Sequence, residues 1–414
     1  MPPTIRGIRE RFIMPIPSQT AKVACGCSTR IDTVDAVREA VEDVAAAMAG
    51  NTDLAVVFFS RDHLTRAGMI DSMLLDTLAP QHLVGMSATG VIANANEFDH
   101  VPGISVFALS CPDVEFHTFT EHDLDWPETK DDSERLSQII KADSPDLRGI
   151  MLFADPFVPL LRLIPAISSC LSDSMDSPAV PLFGGVASAG SKPGTNRLLR
   201  NDEIRIGGIV GLSIRGAMRI DALVSQGCHP IGRPLIVTKA NRNIIESLGG
   251  RPALQAIQEM AHQISQRDRE LMQQGLFVGR VVNEYRDRFG RGDFLIRNVV
   301  GVDPKHEVIA VNDIMRVGQT IQFQVRDAAT ATEDLELLLA AQQLDDPPLG
   351  GILFSCTGRG LNMFDEPNKD ASTIRRSLPG LPLAGCFAAG EIGPVGNEAF
   401  VHGQTAALAL FRCM

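Results

Sequence analysis

Two charged side chains stand in runs otherwise made of small and apolar residues. Arg359 closes the polar stretch SCTGR directly after the apolar run GILFSC, and Glu391 follows Gly390 in the glycine-rich segment GEIGPVGN. A guanidinium offers a planar donor fork to a carboxylate, and a carboxylate can meet an ammonium group. An amino acid carries both partner charges. Ser355, Cys356, Thr357 and Gly358 surround Arg359 with hydroxyl, thiol and backbone groups, so this loop is the first candidate for binding a small polar ligand. The competing readings are an arginine satisfied by solvent and a structural ion pair between Glu391 and a neighbouring arginine.

Ser87, Thr89, Ser188, Asn298, Asn397 and His402 are secondary candidates on similarly tight segments. Hydroxyl side chains there can bond a ligand or their own turns, and a buried histidine is usually one whose hydrogen bonds are already made. A second chemistry needs a thiol activated by a base, for which Cys356 or Cys386 with His402 are the candidates for a hydrolase or transferase. GMSATG lacks the GxSxG spacing of a nucleophile elbow. Neither GxGxxG nor GxxxxGK[ST] occurs, so no nucleotide cofactor is expected. The eight cysteines form no CxxC pair and the histidines no HExxH. Cys25 and Cys27 alone fall short of a four-ligand metal site, and the thiols read as free and mostly buried. No metal is expected.

The elements that position these residues recur. LAVVFFS (54–60), GIMLFAD (149–155) and GILFSC (351–356) read as strands buried on both faces, each ending in a small or polar residue. Downstream lie LVGMSATG, FGGVASAG and LAGCFAAG, with glycines paired as Gly85/Gly90, Gly185/Gly190 and Gly385/Gly390, and then a further apolar run. An amphipathic helix precedes each copy. Asp32 caps the first, with Val34, Val37, Val41, Val44 and Met48 inward and Gly50 closing it; Ser133 caps the second and Thr332 the third. Connecting helices follow the first strand, through Ile70 and Leu74 in copy one and Ile164 and Ile167 in copy two, where Pro165 should kink or shorten the helix. Copy three has a polar loop, LNMFDEPNKD (361–370), before a short helix around Ile374. The fold class is therefore α/β, built of repeated strand-helix-strand-strand units.

Between the second and third copies the pattern changes. A helix over 253–274 is followed by strand-like runs LFVGRVV, DFLIRNVVGV, EVIAV and GQTIQFQV, an α+β insert in the C-terminal half. In open α/β sheets ligands collect at the carboxyl ends of strands, which is where Ser60, Asp155 and the 355–360 run fall.

Composition narrows the class of function. In 414 residues, 44% hydrophobic and 21% charged content is that of a packed globular protein of two or three domains. A net charge of -12 without a basic run argues against nucleic acid. The N-terminal MPPTIRGIRERFIMPIP lacks a secretory h-region and no apolar run reaches bilayer length, which points to the cytoplasm and away from membranes.

GRPALQAIQ, GDFLIRNVVGVDPK, GQTIQFQVRDA, SCTGRG and GCFAAGEIGPV followed by VHGQTA resemble the FIST C-terminal domain. LAVVFFS, VGMSATG and FGGVASAG resemble the paired FIST N-terminal domain, and the likeness covers the chain from about residue 20. The resemblance implies a stand-alone sensor of small ligands, amino acids being the proposed class, that signals through a partner protein or an oligomer. It also implies two domains, 20–220 with two repeat units and 221–414 with the insert and the third. Thr357 replaces an Asn and Cys386 an aromatic of the family pattern, so the ligand of this chain can differ from that of its relatives. A pure interaction scaffold is the third reading.

Overall fold

The computed structural model describes residues 21–124, 131–172, 179–286, 288–290 and 292–414. The N-terminal segment read above lies outside them, as does the side chain of Ser133.

Three units share one order of elements. The first comprises β1 (Lys22–Ser28), α1 (Thr33–Met48), β2 (Leu54–Ser60), α2 (Ala67–Leu78), β3 (His82–Ala88), a hairpin of β4 (Val91–Ala93) and β5 (Asn96–Phe98), and β6 (Ile104–Ser110). The second comprises β7 (Val114–Thr120), α3 (Asp131–Ile139), β8 (Leu147–Ala154), α4 (Leu160–Ser172), β9 (Leu182–Val186), a hairpin of β10 (Leu198–Arg200) and β11 (Glu203–Arg205), and β12 (Ile209–Gly216). The third opens with β13 (Met218–Gln226). The insert then holds β14 (Cys228–Asn241), β15 (Ile244–Leu248), β16 (Arg251–Pro252), α5 (Ala253–Gln263), α6 (Gln266–Gln274), β17 (Phe277–Val281), β18 (Phe294–Asp303), β19 (Val308–Val311) and β20 (Thr320–Arg326). Unit three resumes with α7 (Ala328–Gln342), β21 (Gly350–Cys356), α8 (Lys369–Ser377), β22 (Leu383–Ala388), a hairpin of β23 (Gly390–Val395) and β24 (Glu398–His402), and β25 (Thr405–Cys413).

Each unit lends its hairpin to another. The sheet orders are β1-β6-β2-β3-β10-β11, β7-β12-β8-β9-β23-β24 and β13-β25-β21-β22-β4-β5. The second unit's hairpin thus extends the first sheet, the third unit's the second, and the first unit's the third. A separate sheet, β14-β20-β17-β18-β19-β15-β16, forms the insert.

The three sheets meet on a shared core. Phe58, Phe153 and Phe354 occupy the same position in β2, β8 and β21, and their rings form a triangle with centroids 5.7, 5.8 and 6.0 Å apart. Phe58 meets both other rings edge-on, as suits the aromatic quadrupole, and Phe153 and Phe354 are tilted to one another. Helices cover the outer faces, which is why these strands are buried almost throughout, Arg148 near the start of β8 excepted, and read as unbroken apolar runs. Among the described residues no helix is long and apolar enough to cross a membrane.

The structure corrects several local expectations. β1, β7 and β13 begin the units but lie at sheet edges with partial burial, so they lack the continuous apolar run by which the other strands were recognised. The glycine equivalent to Gly85 and Gly385 is Gly184, one residue before the expected Gly185: these three face Val57, Leu353 and Leu152 of the parallel neighbour. Asp32 does cap α1, accepting from the amides of Val34 and Asp35, but Ala49 rather than Gly50 makes the first left-handed turn. α7 is capped by Asp327, not Thr332, because the aspartate accepts from Ala329 N and fixes the helix start about one and a half turns earlier. The helix expected over 253–274 breaks at Ile264, where Ser265 caps a new helix through Asp268 N. Pro165, expected to kink or shorten its helix, does not shorten it: α4 runs on to Ser172 and is no shorter than α2. The division expected at 220/221 falls within β13.

Candidate functional site

Where β21 ends, the chain assembles a charged node inside the protein. Arg359 is wholly buried, and its Nε and Nη2 lie 2.8 and 2.6 Å from the two carboxylate oxygens of Asp370 at the start of α8. Ser355 Oγ also donates to Asp370, at 3.0 Å. Burial opposes the Arg359 charge, but Asp370 more than offsets this and the pKa is raised. The guanidinium carbon lies over the Phe364 ring, 5.4 Å from its centroid.

The node crosses between units. Glu97, on the hairpin that the first unit lends, accepts from Ala371 N at 2.8 Å, and its own amide donates to Asn368 Oδ1. Burial, then the Asp370 charge, push Glu97 up to about 7. Glu391 is wholly buried at the start of β23 and accepts from Thr405 Oγ1 at 2.7 Å. Burial pushes it up to about 8, against the pull of Thr405 and Arg359. The Cys356 thiol, which accepts from Gly358 N at 3.4 Å and lies within hydrogen-bond reach of Glu391, is pushed up to about 12 by burial and then by Glu391.

This arrangement changes the role open to Arg359. Its fork is occupied by Asp370, so a ligand carboxylate has only Nη1, which has no partner among the described residues. Glu391 Oε1, Gln404 Oε1 and Asp99 Oδ2 are likewise buried and unpartnered. Gln404 lies over Gly358, Asp99 beside Gly360, and Arg359 Nη1 beside Gly227. Buried polar atoms are nearly always hydrogen-bonded in folded proteins, so this concentration of idle donors and acceptors marks the place where a small polar molecule is best received.

The other expected residues do different work. Ser188 N donates to Ser87 O at 3.3 Å and Ala389 N to Val186 O at 2.9 Å; Thr89 N donates to Ser188 Oγ, which donates to Phe387 O at 2.5 Å. Ser87, Thr89 and Ser188 thus join the three units in a ring, with the Ser188 hydroxyl spliced into one link. His402 is buried with Nε2 3.0 Å from Gly393 O, and burial lowers it to about 4. Asn298 is exposed on β18, and Asn397 is exposed in the β23–β24 turn. Cys386 pairs in register with Phe354 in the aromatic core, and burial raises its thiol well above the ordinary value. Neither Cys356 nor Cys386 shares a hydrogen bond with His402 among the described residues. No three His, Cys, Asp or Glu side chains among the described residues group to hold a metal ion.

Sequence reading missed Asp370, Glu97, Gln404 and Thr405. Asp370 ends the polar loop LNMFDEPNKD that stood out as a local feature. Nothing in the sequence near Glu97 links it to a site more than 250 residues away.

Comparison with known proteins places these elements. The FIST N domain profile matches residues 53–251 and the FIST C domain profile residues 253–394. An uncharacterized protein of Mycobacterium tuberculosis (strain ATCC 25618 / H37Rv) is 39% identical over 395 residues, 94% of this chain and 99% of its own. An uncharacterized protein of Mycobacterium bovis is 38% identical over 393 residues, 94% of this chain and 98% of its own. A solved structure described as "Cyanuric acid hydrolase: evolutionary innovation by structural concatenation" is 9% identical with a TM-score of 0.30, covering 95% of this chain and 100% of that one, a likeness too distant to carry an inference.

Proposed function

Because this chain belongs to the FIST family, whose domains are associated with sensory signal transduction, we propose that it is a cytoplasmic sensor of an amino acid or related small carboxylate. The observation that carries this reading is the set of unpartnered buried atoms around Arg359, Glu391 and Gln404. A ligand carboxylate takes Arg359 Nη1 and its amine takes Glu391 Oε1. Thr357 and Gly358 supply the loop around it, and Ser355 holds Asp370 in place behind the arginine.

Access requires the 357–368 loop to move, since Arg359 and Glu391 are both fully buried. That loop leads into α8, whose first turn rests on Glu97 of the first unit. Occupancy is therefore coupled to the contact between units, which gives a partner protein or a second copy of the chain something to read. Only a ligand that favours one of the two loop arrangements can shift their balance.

A thermal-shift panel of amino acids and small organic acids tests the reading. A ligand at a hundred times its Kd stabilises the native state by about 2.7 kcal/mol, and Glu391→Gln should reduce the shift given by the best compound. A panel with no stabilising member, or a shift unchanged in Glu391→Gln, would contradict it. The thiol-dependent alternative is disfavoured by raised Cys356 and Cys386 pKa values, which leave little thiolate at neutral pH.

A further inference from the structure

A second cleft shares no residue with the node. It opens between α4 of the second unit, β24 and the insert, with a volume of about 280 Å³. Leu161 and Ile164 of α4, with Phe400 and Val401 of β24, give it an apolar wall. At its mouth Leu161 and Ile314 remain 55% and 59% exposed.

The opposite wall is cationic. Arg280, Arg297 and Arg316 line it against a single carboxylate, Asp313. Arg297 is tied into the wall, its Nε 2.8 Å from Asp313 and its Nη1 donating to the carbonyls of Ile296 and Val401. Asp313 is buried, which works against its charge, yet Arg297 and Arg280 hold its pKa below the usual range. Arg280 reaches Asp313 through Nε alone, at 3.2 Å, and makes no other hydrogen bond among the described residues. The Arg316 guanidinium is exposed and makes no hydrogen bond or ion pair among them. Two guanidinium groups therefore offer free donors beside an apolar wall. Guanidinium donors match a carboxylate in geometry and charge, while the retained Asp313 charge disfavours a multiply charged anion.

We propose that this cleft binds a small aliphatic monocarboxylate, its charge on Arg280 and Arg316 and its tail along Leu161, Ile164, Phe400 and Val401. Pockets of this kind take small ligands through an apolar lining and a few convergent polar groups. The cleft lies where the second unit meets the insert, and in the β23–β24 pairing Val401 faces Ile392, the neighbour of Glu391. An occupant here would therefore bear on the strand pair that carries the node.

Saturation-transfer NMR with hexanoate on the full chain is the test, with acetate and hexanol as probes of charge without tail and tail without charge. Hexanoate should bind at least about tenfold more tightly than either, and Arg316→Gln and Leu161→Ser should each weaken it. For Arg316→Gln the loss should be at least about tenfold, the usual worth of a hydrogen bond to a charged group. Both side chains are exposed, so both variants should fold. Equal binding of acetate or hexanol, or a hexanoate Kd within about twofold of wild type in Arg316→Gln, would overturn the proposal. Loss of hexanoate binding in Glu391→Gln would also overturn it, by placing the ligand in the node.

Discussion

Glu391 makes folding depend on pH in an unusual sense. Its ordinary pKa of 4.5 is raised to about 8, so the folded protein holds a proton that the unfolded chain releases. Native-state proton binding exceeds that of the unfolded state between those values, and stability falls as pH rises through that window. Glu97 and Asp71, both raised to about 7 chiefly by burial, act in the same direction. His402, lowered to about 4 by burial, acts in the opposite direction below its ordinary 6.5, so thermal melts should give a Tm that falls as pH rises from about 6.5 to 8, and Glu391→Gln should flatten part of that slope. Asp370→Asn removes one partner of a buried ion pair and should cost about 3–5 kcal/mol in denaturant unfolding. Iodoacetamide at neutral pH should label exposed Cys413 and leave Cys356 and Cys386 unmodified until the protein unfolds. Arg359 and Glu391 were legible in the sequence because a charge stands out among small residues. Their partners were not: the Asp370 contact closes over a polar loop and the Glu97 contact comes from another unit, and neither spacing follows a helix or strand period.

At the scale of elements, the repeat was visible because each unit has a central strand buried on both faces. The glycine register is set by backbone contact between parallel strands. Gly85, Gly184 and Gly385 abut the carbonyls of Val57, Leu152 and Leu353, and a Cβ on them would lie 2.4, 2.0 and 2.0 Å from the carbonyl oxygens. Gly185 is small for a different reason: a Cβ there would meet the Phe354 ring at 2.6 Å. Copy two carries both glycines side by side, which disguised the equivalence. Gly85→Ala and Gly385→Ala should each destabilise by about 1–3 kcal/mol or more, as overpacking against backbone does. Gly403→Ala, with nothing within 4 Å of the added carbon, should be near neutral in the same unfolding assay. The hairpin exchange had no sequence signal, since a short hairpin does not specify which sheet edge it will extend.

For the whole molecule, the exchange means that the two FIST domains are interleaved. β4–β5 extends the third unit's sheet and β23–β24 the second's, so each half completes a sheet begun by the other. Denaturant unfolding followed by tryptophan-independent far-UV and thiol-exposure probes should give coincident transitions, and separated transitions would show that the halves fold independently. The same interleaving puts the node where movement of the 357–368 loop is felt by the first unit. If an amine displaces the proton held on Glu391, binding must release that proton and tighten as pH rises towards about 8. The most direct test is a calorimetric titration of the best-stabilising amino acid from pH 6 to 8. Affinity should increase by nearly tenfold per pH unit over most of that range in the wild type and stay flat and weaker in Glu391→Gln. A wild-type affinity independent of pH, matched by Glu391→Gln, would contradict the assignment of the ligand to this node.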